Sequence, residues 1–178
     1  RVFHGKFYQL NNNIDYIWSS IKNLKIRENV EISLTYKRLM SKLSIEIQNN
    51  SNNQIEIMSA KILDNKIIGS IDVQTGTIID NNSNNNDYLD MKVEQMFAYI
   101  TIAPQCRVSG IDLYIEYLIK EDNEIIKKVS GIIEQPDKKG FEAGKNYLYK
   151  ALITQDKIQF ICSGVEDWIL DNSIELEL

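Results

Sequence analysis

A β-sandwich with very little helix is the fold class that the sequence predicts, and three observations carry it. Apolar and polar residues alternate with period two through most of the chain from Val30 onward. Polar clusters of turn type separate these runs at regular spacing, and no stretch of helical period reaches ordinary helix length. Strands alternating with long helices would have indicated an α/β fold; about nine or ten strands joined by hairpin-type turns indicate two face-packed layers of antiparallel ribbon.

Val30, Ile32, Leu34 and Tyr36 alternate with Glu31, Ser33, Thr35 and Lys37, which predicts a strand with one buried face. Leu39, Met40 and Leu43 then break the phase before Ile45 and Ile47 resume it, so a bulge or short corner is expected over Met40–Lys42. After the polar turn NNSNNQ, the runs Ile55–Leu63 and Ile67–Val73 flank Asp64 and Asn65. Both residues tolerate left-handed backbone, so the pair reads as a hairpin turn. Asp80–Asp87, with the sequence DNNSNNND, is a low-complexity polar loop with nothing to bury. Val93–Ile102 reads as one strand that stops before Pro104, a residue unable to donate to a ladder.

Ile111–Ile119 and Ile125–Ile133 are strands joined by the turn EDNE, and Pro136 and Gly140 punctuate the loop that follows. In the closing third, Tyr147, Tyr149 and Ala151 fall on one face and Asn146, Leu148, Lys150 and Leu152 on the other. Beyond the polar break Thr154–Lys157, Ile158, Phe160 and Cys162 share a face opposite Gln159, Ile161 and Ser163. The one helix candidate is Asp15–Lys22, with Asp15 as cap and Tyr16, Ile17, Trp18 and Ile21 as a crude apolar stripe. The chain divides into an N-terminal segment, 1–29, read as a remnant of a preceding domain or an exchange strand, and a β-sandwich domain, 30–178.

A chain of 178 residues is long enough to bury a core without a metal or disulfide staple. Its net charge of −5 gives no basic surface to neutralise phosphates, so a nucleic-acid partner is not expected. No run approaches the roughly 18 apolar residues of a membrane-spanning helix. The first residue is Arg1, as in a trimmed or processed product, and an export signal would lie upstream of it. Cys106 and Cys162 are read as two free buried thiols, with a single disulfide as the alternative that spacing alone does not decide.

Residues that could carry chemistry are few. His4 is the only histidine and sits in a terminal segment expected to fray, no nucleophile elbow is present, and neither cysteine has an evident base. The oxygen-rich run Asp80, Asn82, Asn84, Asp87 and Asp90 fails the EF-hand pattern, because Asn85 and Met91 stand where Gly and Glu are required. Gly140 and Gly144 do not make a phosphate loop, since a strand follows instead of a helix. Paired carboxylates such as Asp64 with Asp72, or Glu116 with Glu124, read as solvated charges on turns and outer faces. Of the aromatics Tyr8, Tyr16, Trp18, Tyr114, Tyr117, Tyr147, Tyr149 and Trp168, most are accounted for by core and sheet-face packing; a sugar-stacking platform is the alternative. No catalytic residue, metal ligand or cofactor is assigned.

Four phrases in fixed order span Asp15 to Trp168: DYIWSS (Asp15–Ser20), VEISLTYKRLMSKLSIEI (Val30–Ile47), TIAPQ (Thr101–Gln105), and FEAGKNYLY with a closing VEDW. Together they resemble the fimbrillin-like proteins of Bacteroidales, the FimA-like and Mfa-like subunits of type V pili. The segment Tyr36, Lys37, Arg38, Leu39, Met40, Ser41, Lys42, Leu43 is similar to a family phrase in which a His usually stands where this chain has Arg38. Pro104 and Gln105 match a Pro-Gln step. Phe141, Gly144, Lys145, Tyr147 and Tyr149 match a Phe-x-x-Gly-Lys-x-Tyr-x-Tyr phrase, and Trp168 matches the closing Trp.

The resemblance implies a transthyretin-like β-sandwich, export by a lipoprotein route to the cell surface and outer membrane, and a non-enzymatic role in fimbriae or adhesion. Family members usually hold two such domains, so this chain is expected to hold one with a piece of another, or to be a minimal relative. It also implies assembly by strand exchange with other pilus subunits or with itself, in which an extended segment completes an open sheet edge. The candidate segments are Val2, Phe3, Phe7, Tyr8 and Leu10 near the start and Ile174, Leu176 and Leu178 at the end. For each, an ordinary intramolecular edge strand is the competing reading. A surface glycan-binding module, meeting host or bacterial ligands, is the alternative function; exposed coplanar aromatics at Tyr147, Tyr149 or Trp168 would mark it.

Overall fold

The computed structural model describes residues 4–8, 14–19, 35–63, 68–80, 88–105, 109–120, 125–154 and 157–169. They form β1 (His4–Tyr8), β2 (Ile17–Trp18), β3 (Lys37–Arg38), β4 (Ser41–Asn49), β5 (Ile55–Leu63), β6 (Ile68–Asp72) and β7 (Thr77–Asp80). These are followed by β8 (Tyr88–Asp90), β9 (Lys92–Glu94), β10 (Phe97–Ile102), β11 (Ile111–Ile119), β12 (Ile125–Ile133), β13 (Lys145–Ile153) and β14 (Ile158–Asp167). Among the described residues there is no helix.

Two sheets make the body: a five-stranded one in the order β14-β13-β4-β10-β9 and a four-stranded one in the order β12-β11-β5-β8. Their inner faces meet because period-two alternation puts one set of apolar side chains on each. Leu43, Ile45 and Ile47 of β4, with Tyr147, Tyr149 and Ala151 of β13, are buried from the first sheet; Ile111, Leu113, Ile115 and Tyr117 of β11 are buried from the second. Each fully buried aliphatic side chain contributes about 1.5–3 kcal/mol. The expected all-β sandwich is therefore the observed architecture, with β11 and β12 at the predicted bounds.

A smaller assembly caps one end. β1, β6 and β7 form a three-stranded sheet in the order β1-β6-β7, and β2 pairs with β3. Ile71 of β6 and Ile78 of β7 pack with Tyr16 and Trp168 around Met40 and Ala103, a second buried cluster separate from the main core.

Several expectations are corrected. The main sheet is not antiparallel throughout, because β13 runs parallel to β4 at its centre, from Asn146 opposite Lys42 to Ile153 opposite Asn49. Val93–Ile102 is not one strand: β9 and β10 form a hairpin that turns at Gln95 and Met96, and Gln95 takes φ 56°. A tight two-residue hairpin demands such a left-handed residue, and here a Gln supplies it in place of the usual Gly or Asn. The stretch from Asp15 is not helical; Ile17 and Trp18 are extended and pair with Arg38 and Lys37. Thr35 and Tyr36 lie outside any strand, Tyr36 is exposed, and 30–34 fall outside the described residues. Strands β7 and β8 come as additions, and His4 lies in a strand, opposite Asp72.

The corner expected near Met40 is present: the chain breaks between β3 and β4 at Leu39 and Met40, both buried. A second phase change falls in β5, where the register with β11 shifts at Met58. Ile55 and Ile57 turn toward the core before it and Ala60 and Ile62 after it. One extra residue per bulge moves every later side chain to the opposite face. The Asp64-Asn65 and EDNE turns lie outside the described residues, as do residues 81–87 of the Asn-rich loop. Cys162 is free and exposed instead of buried; Cys106 is outside the described residues. The reason is local: β14 is an edge strand whose register shifts beside Tyr149, leaving Ser163 unopposed.

Candidate functional site

Most of the family-phrase residues lie around the corner between β3 and β4 at the capped end of the sandwich, where local chemistry accounts for their contacts. Gly144 takes φ 72°, a conformation that L side chains rarely adopt, and so turns the chain into β13. Its N–H donates to the Met40 carbonyl at 2.8 Å and its carbonyl accepts from Trp168 N at 2.8 Å. One glycine thus ties the β3–β4 corner to the end of β14. Phe141 and Gln105 exchange two backbone hydrogen bonds, at 2.7 and 2.9 Å, which is why the Pro104-Gln105 step and the Phe141 phrase come together. Ser41 Oγ donates to the Glu142 carbonyl at 2.8 Å.

Tyr147 is the hub. Its ring stands edge-on to Phe141 at 5.0 Å between centroids, its hydroxyl donates to the Gly140 carbonyl at 3.0 Å, and it accepts from Glu142 N at 2.5 Å. Tyr149 donates to the Glu134 carbonyl at 2.6 Å. Burial pushes both phenols above their ordinary values. Lys145 lies outside, 2.5 Å from Asp167, whose hydrogen bond holds the ammonium above its usual range. Leu43 is core, Pro104 is half-buried, and Lys42 reaches outward to within 5.2 Å of the Tyr99 ring centre and 5.9 Å of Trp168.

Arg38, standing where a His was expected, lies over the Trp168 ring at 4.2 Å and forms an ion pair with Asp15. Stacking of this kind contributes about 0.5–2 kcal/mol. The Asp15 carboxylate, read from sequence as a helix cap, therefore anchors the N-terminal segment to the corner. Trp18 is fixed beside it: its indole N–H donates to the Val73 carbonyl at 2.8 Å and Lys37 lies 4.7 Å above the ring. Gly76 permits this approach, since a Cβ there would come within 2.2 Å of the Trp18 ring. Sequence reasoning missed the Asp15–Arg38 and Trp18–Gly76 contacts; the lone glycine within VQTGTI was the available signal.

These arrangements are joints, and among the described residues no three His, Cys, Asp or Glu side chains are grouped so as to hold a metal. Tyr147 and Tyr149 are only 1% and 2% exposed, so they form no glycan platform. Trp168 is spent on Arg38 and the Met40 cluster. Among the exchange candidates, Phe7 and Tyr8 lie in β1, opposite Gly69 and Ile68, and β1 is an edge strand. Val2, Phe3, Leu10, Ile174, Leu176 and Leu178 lie outside the described residues.

The fimbrillin-like family model matches residues 9–168, and the chain belongs to that family. No curated protein matches the sequence. Among solved structures, the chain is similar to a candidate cell adhesion protein from Bacteroides uniformis, with TM-score 0.74 and 16% identity over 93% of this chain and 66% of that one. A candidate cell adhesion protein from Bacteroides ovatus matches with TM-score 0.55 and 18% identity, over 79% of this chain and 49% of the other. A fimbrial protein from Bacteroides vulgatus matches with TM-score 0.52 and 10% identity, over 76% and 56%. The chain therefore spans between half and two thirds of the length of these structures.

Proposed function

We propose that this chain is a non-enzymatic cell-surface subunit of a fimbrium, built for assembly and adhesion, with a transthyretin-like sandwich as its unit. The reading places it at the outer membrane after export as a lipoprotein. Its partners are other pilus subunits or further copies of itself, joined by strand exchange, with the boundary near residue 29 separating the exchangeable segment from the sandwich.

The observation that supports exchange is the position of β1 at the edge of its sheet, paired only with β6 among the described residues. Removing β1 opens the whole length of β6, whose Gly69 and Ser70 are buried. An incoming strand regains the same main-chain hydrogen bonds, while alternate side chains give specificity. The second candidate donor is the run Ile174–Leu178, in which Ile174, Leu176 and Leu178 alternate with Glu175 and Glu177.

Limited proteolysis at basic residues, followed by electrophoresis without boiling, tests the reading. A ladder of SDS-resistant multimers is expected after cleavage between Arg1 and Arg27. A protein that stays strictly monomeric after loss of that segment overturns exchange through β6.

A further inference from the structure

The outer face of the four-stranded sheet carries a hollow of about 480 Å3, lined by Tyr88, Asp112, Tyr114, Lys128 and Ser130. That lies within the range of about 300–1,000 Å3 common for small-molecule sites. Strand register dictates the lining. Tyr88, Leu63, Asp112 and Ile132 stand in one cross-strand row, Asp90, Lys61, Tyr114 and Ser130 in the next, and Ser59, Glu116 and Lys128 in a third.

The outward groups divide into those already engaged and those left open. Lys61 pairs with Asp90 at 3.1 Å, and Glu116 takes both Lys128 at 3.4 Å and Ser59 Oγ at 3.3 Å. Beside these engaged groups, the side chains of Asp112, in the first row, and Ser130, in the second, make no hydrogen bond or ion pair among the described residues. Tyr88 and Tyr114 meet at 5.1 Å with their planes 75° apart, forming a corner of two aromatic rings; Tyr88 is 49% exposed. The hollow thus offers ring surface for C–H groups, with a free carboxylate and a free hydroxyl beside it for O–H groups.

We propose that this hollow binds one hexopyranose unit of a glycan, its C–H face against the Tyr88–Tyr114 corner and vicinal hydroxyls donating to Asp112. The chemistry selects that class over others. A phosphate-bearing ligand would need an unpaired cation, and Lys128 is neutralised by Glu116. A wholly apolar ligand would strip water from Asp112 and Ser130 without replacing their hydrogen bonds. A sugar ring satisfies both kinds of surface. The site lies on the opposite sheet from β13 and does not involve β1 or β6, so it stands or falls independently of strand exchange.

Saturation-transfer NMR and calorimetry on the intact chain, titrated with the methyl glycosides of β-glucose, β-galactose and α-mannose, give the test. At least one glycoside is expected to bind saturably. Tyr88→Ala should abolish that binding, and Asp112→Asn should weaken it at least about tenfold, the scale of one hydrogen bond to a charged group. Tyr99→Ala, on the outer face of the other sheet, should leave it unchanged. Both site residues are exposed, so circular dichroism should show all three variants folded. Absence of saturable binding by all three glycosides, or affinity that survives either substitution in the hollow, overturns the proposal. So does a Tyr88-dependent dimer that no glycoside disperses, since a second copy would then own the face.

Discussion

The two buried clusters are built by different means. The main core is a broad apolar layer in which side chains from β4, β5, β10, β11 and β13 meet. Among the described residues the second cluster has Met40 and Ala103 as its buried members, and the cohesion of the capped end comes from particular pairs: Arg38 with Asp15 and Trp168, Trp18 with Val73, Gly76 with the Trp18 ring, and Gly144 with Met40. Bulk hydrophobic burial sets how stable the domain is. The directional contacts set where the N-terminal segment and the end of β14 are held against it.

The largest loss comes from a cavity in the main core. Ile62→Ala, at a fully buried position, should cost about 2–5 kcal/mol and lower the midpoint of denaturant unfolding for the whole domain together. Loss confined to one sheet would break the comparison.

Gly76→Ala strikes the capped end instead. It forces an alanine into φ 58° and against the Trp18 ring, so a cost of about 1–3 kcal/mol is expected. The accompanying change in Trp fluorescence should appear at lower denaturant than the loss of β circular dichroism, because β2 and the β6–β7 turn let go before the sandwich.

The smallest effect is a pH dependence carried by the hub. The Tyr147 phenol is held above its ordinary value by burial, so the folded state keeps the proton more tightly than the unfolded chain does. That stabilisation is complete below about pH 10, the unfolded tyrosine value, and is lost as pH rises through the higher folded value. Alkaline titration followed by near-ultraviolet absorbance should show late ionisation coupled to unfolding, and Tyr147→Phe should reduce the coupling. The same substitution strands the Glu142 N–H and Gly140 carbonyl and should lower neutral-pH stability by about 1–3 kcal/mol.

Legibility followed the same division. β4, β11, β12 and β13 could be read because a half-buried strand writes its burial into every second residue, as in Ile111, Leu113, Ile115, Tyr117 and Ile119. The phase change in β5 was also written, as the three-residue step from Ile57 to Ala60. The β9–β10 turn was not, since Glu94-Gln95-Met96-Phe97 contains no Gly, Asn, Asp or Pro and only the paired strands force Gln95 left-handed. The parallel placement of β13 beside β4 was invisible because alternation is identical in parallel and antiparallel ribbons. At the capped end, family phrases located Gly144, Tyr147 and Trp168. Nothing local, however, showed that Arg38 would meet Asp15, 23 residues earlier. The Tyr88–Tyr114 hollow escaped notice because three-residue β8 is too short to display a period.

The parallel pairing of β4 with β13 has a kinetic consequence. Ser44 and Asn146, hydrogen-bonded across it, are 102 residues apart in the chain. One edge of β4 in the principal sheet therefore stays unpaired until the last third of the polypeptide is available. Long-range closure of this kind slows folding by imposing its loop entropy before any contact is gained. A nascent chain would complete its principal sheet late, when its tyrosine-bearing strand pairs with β4.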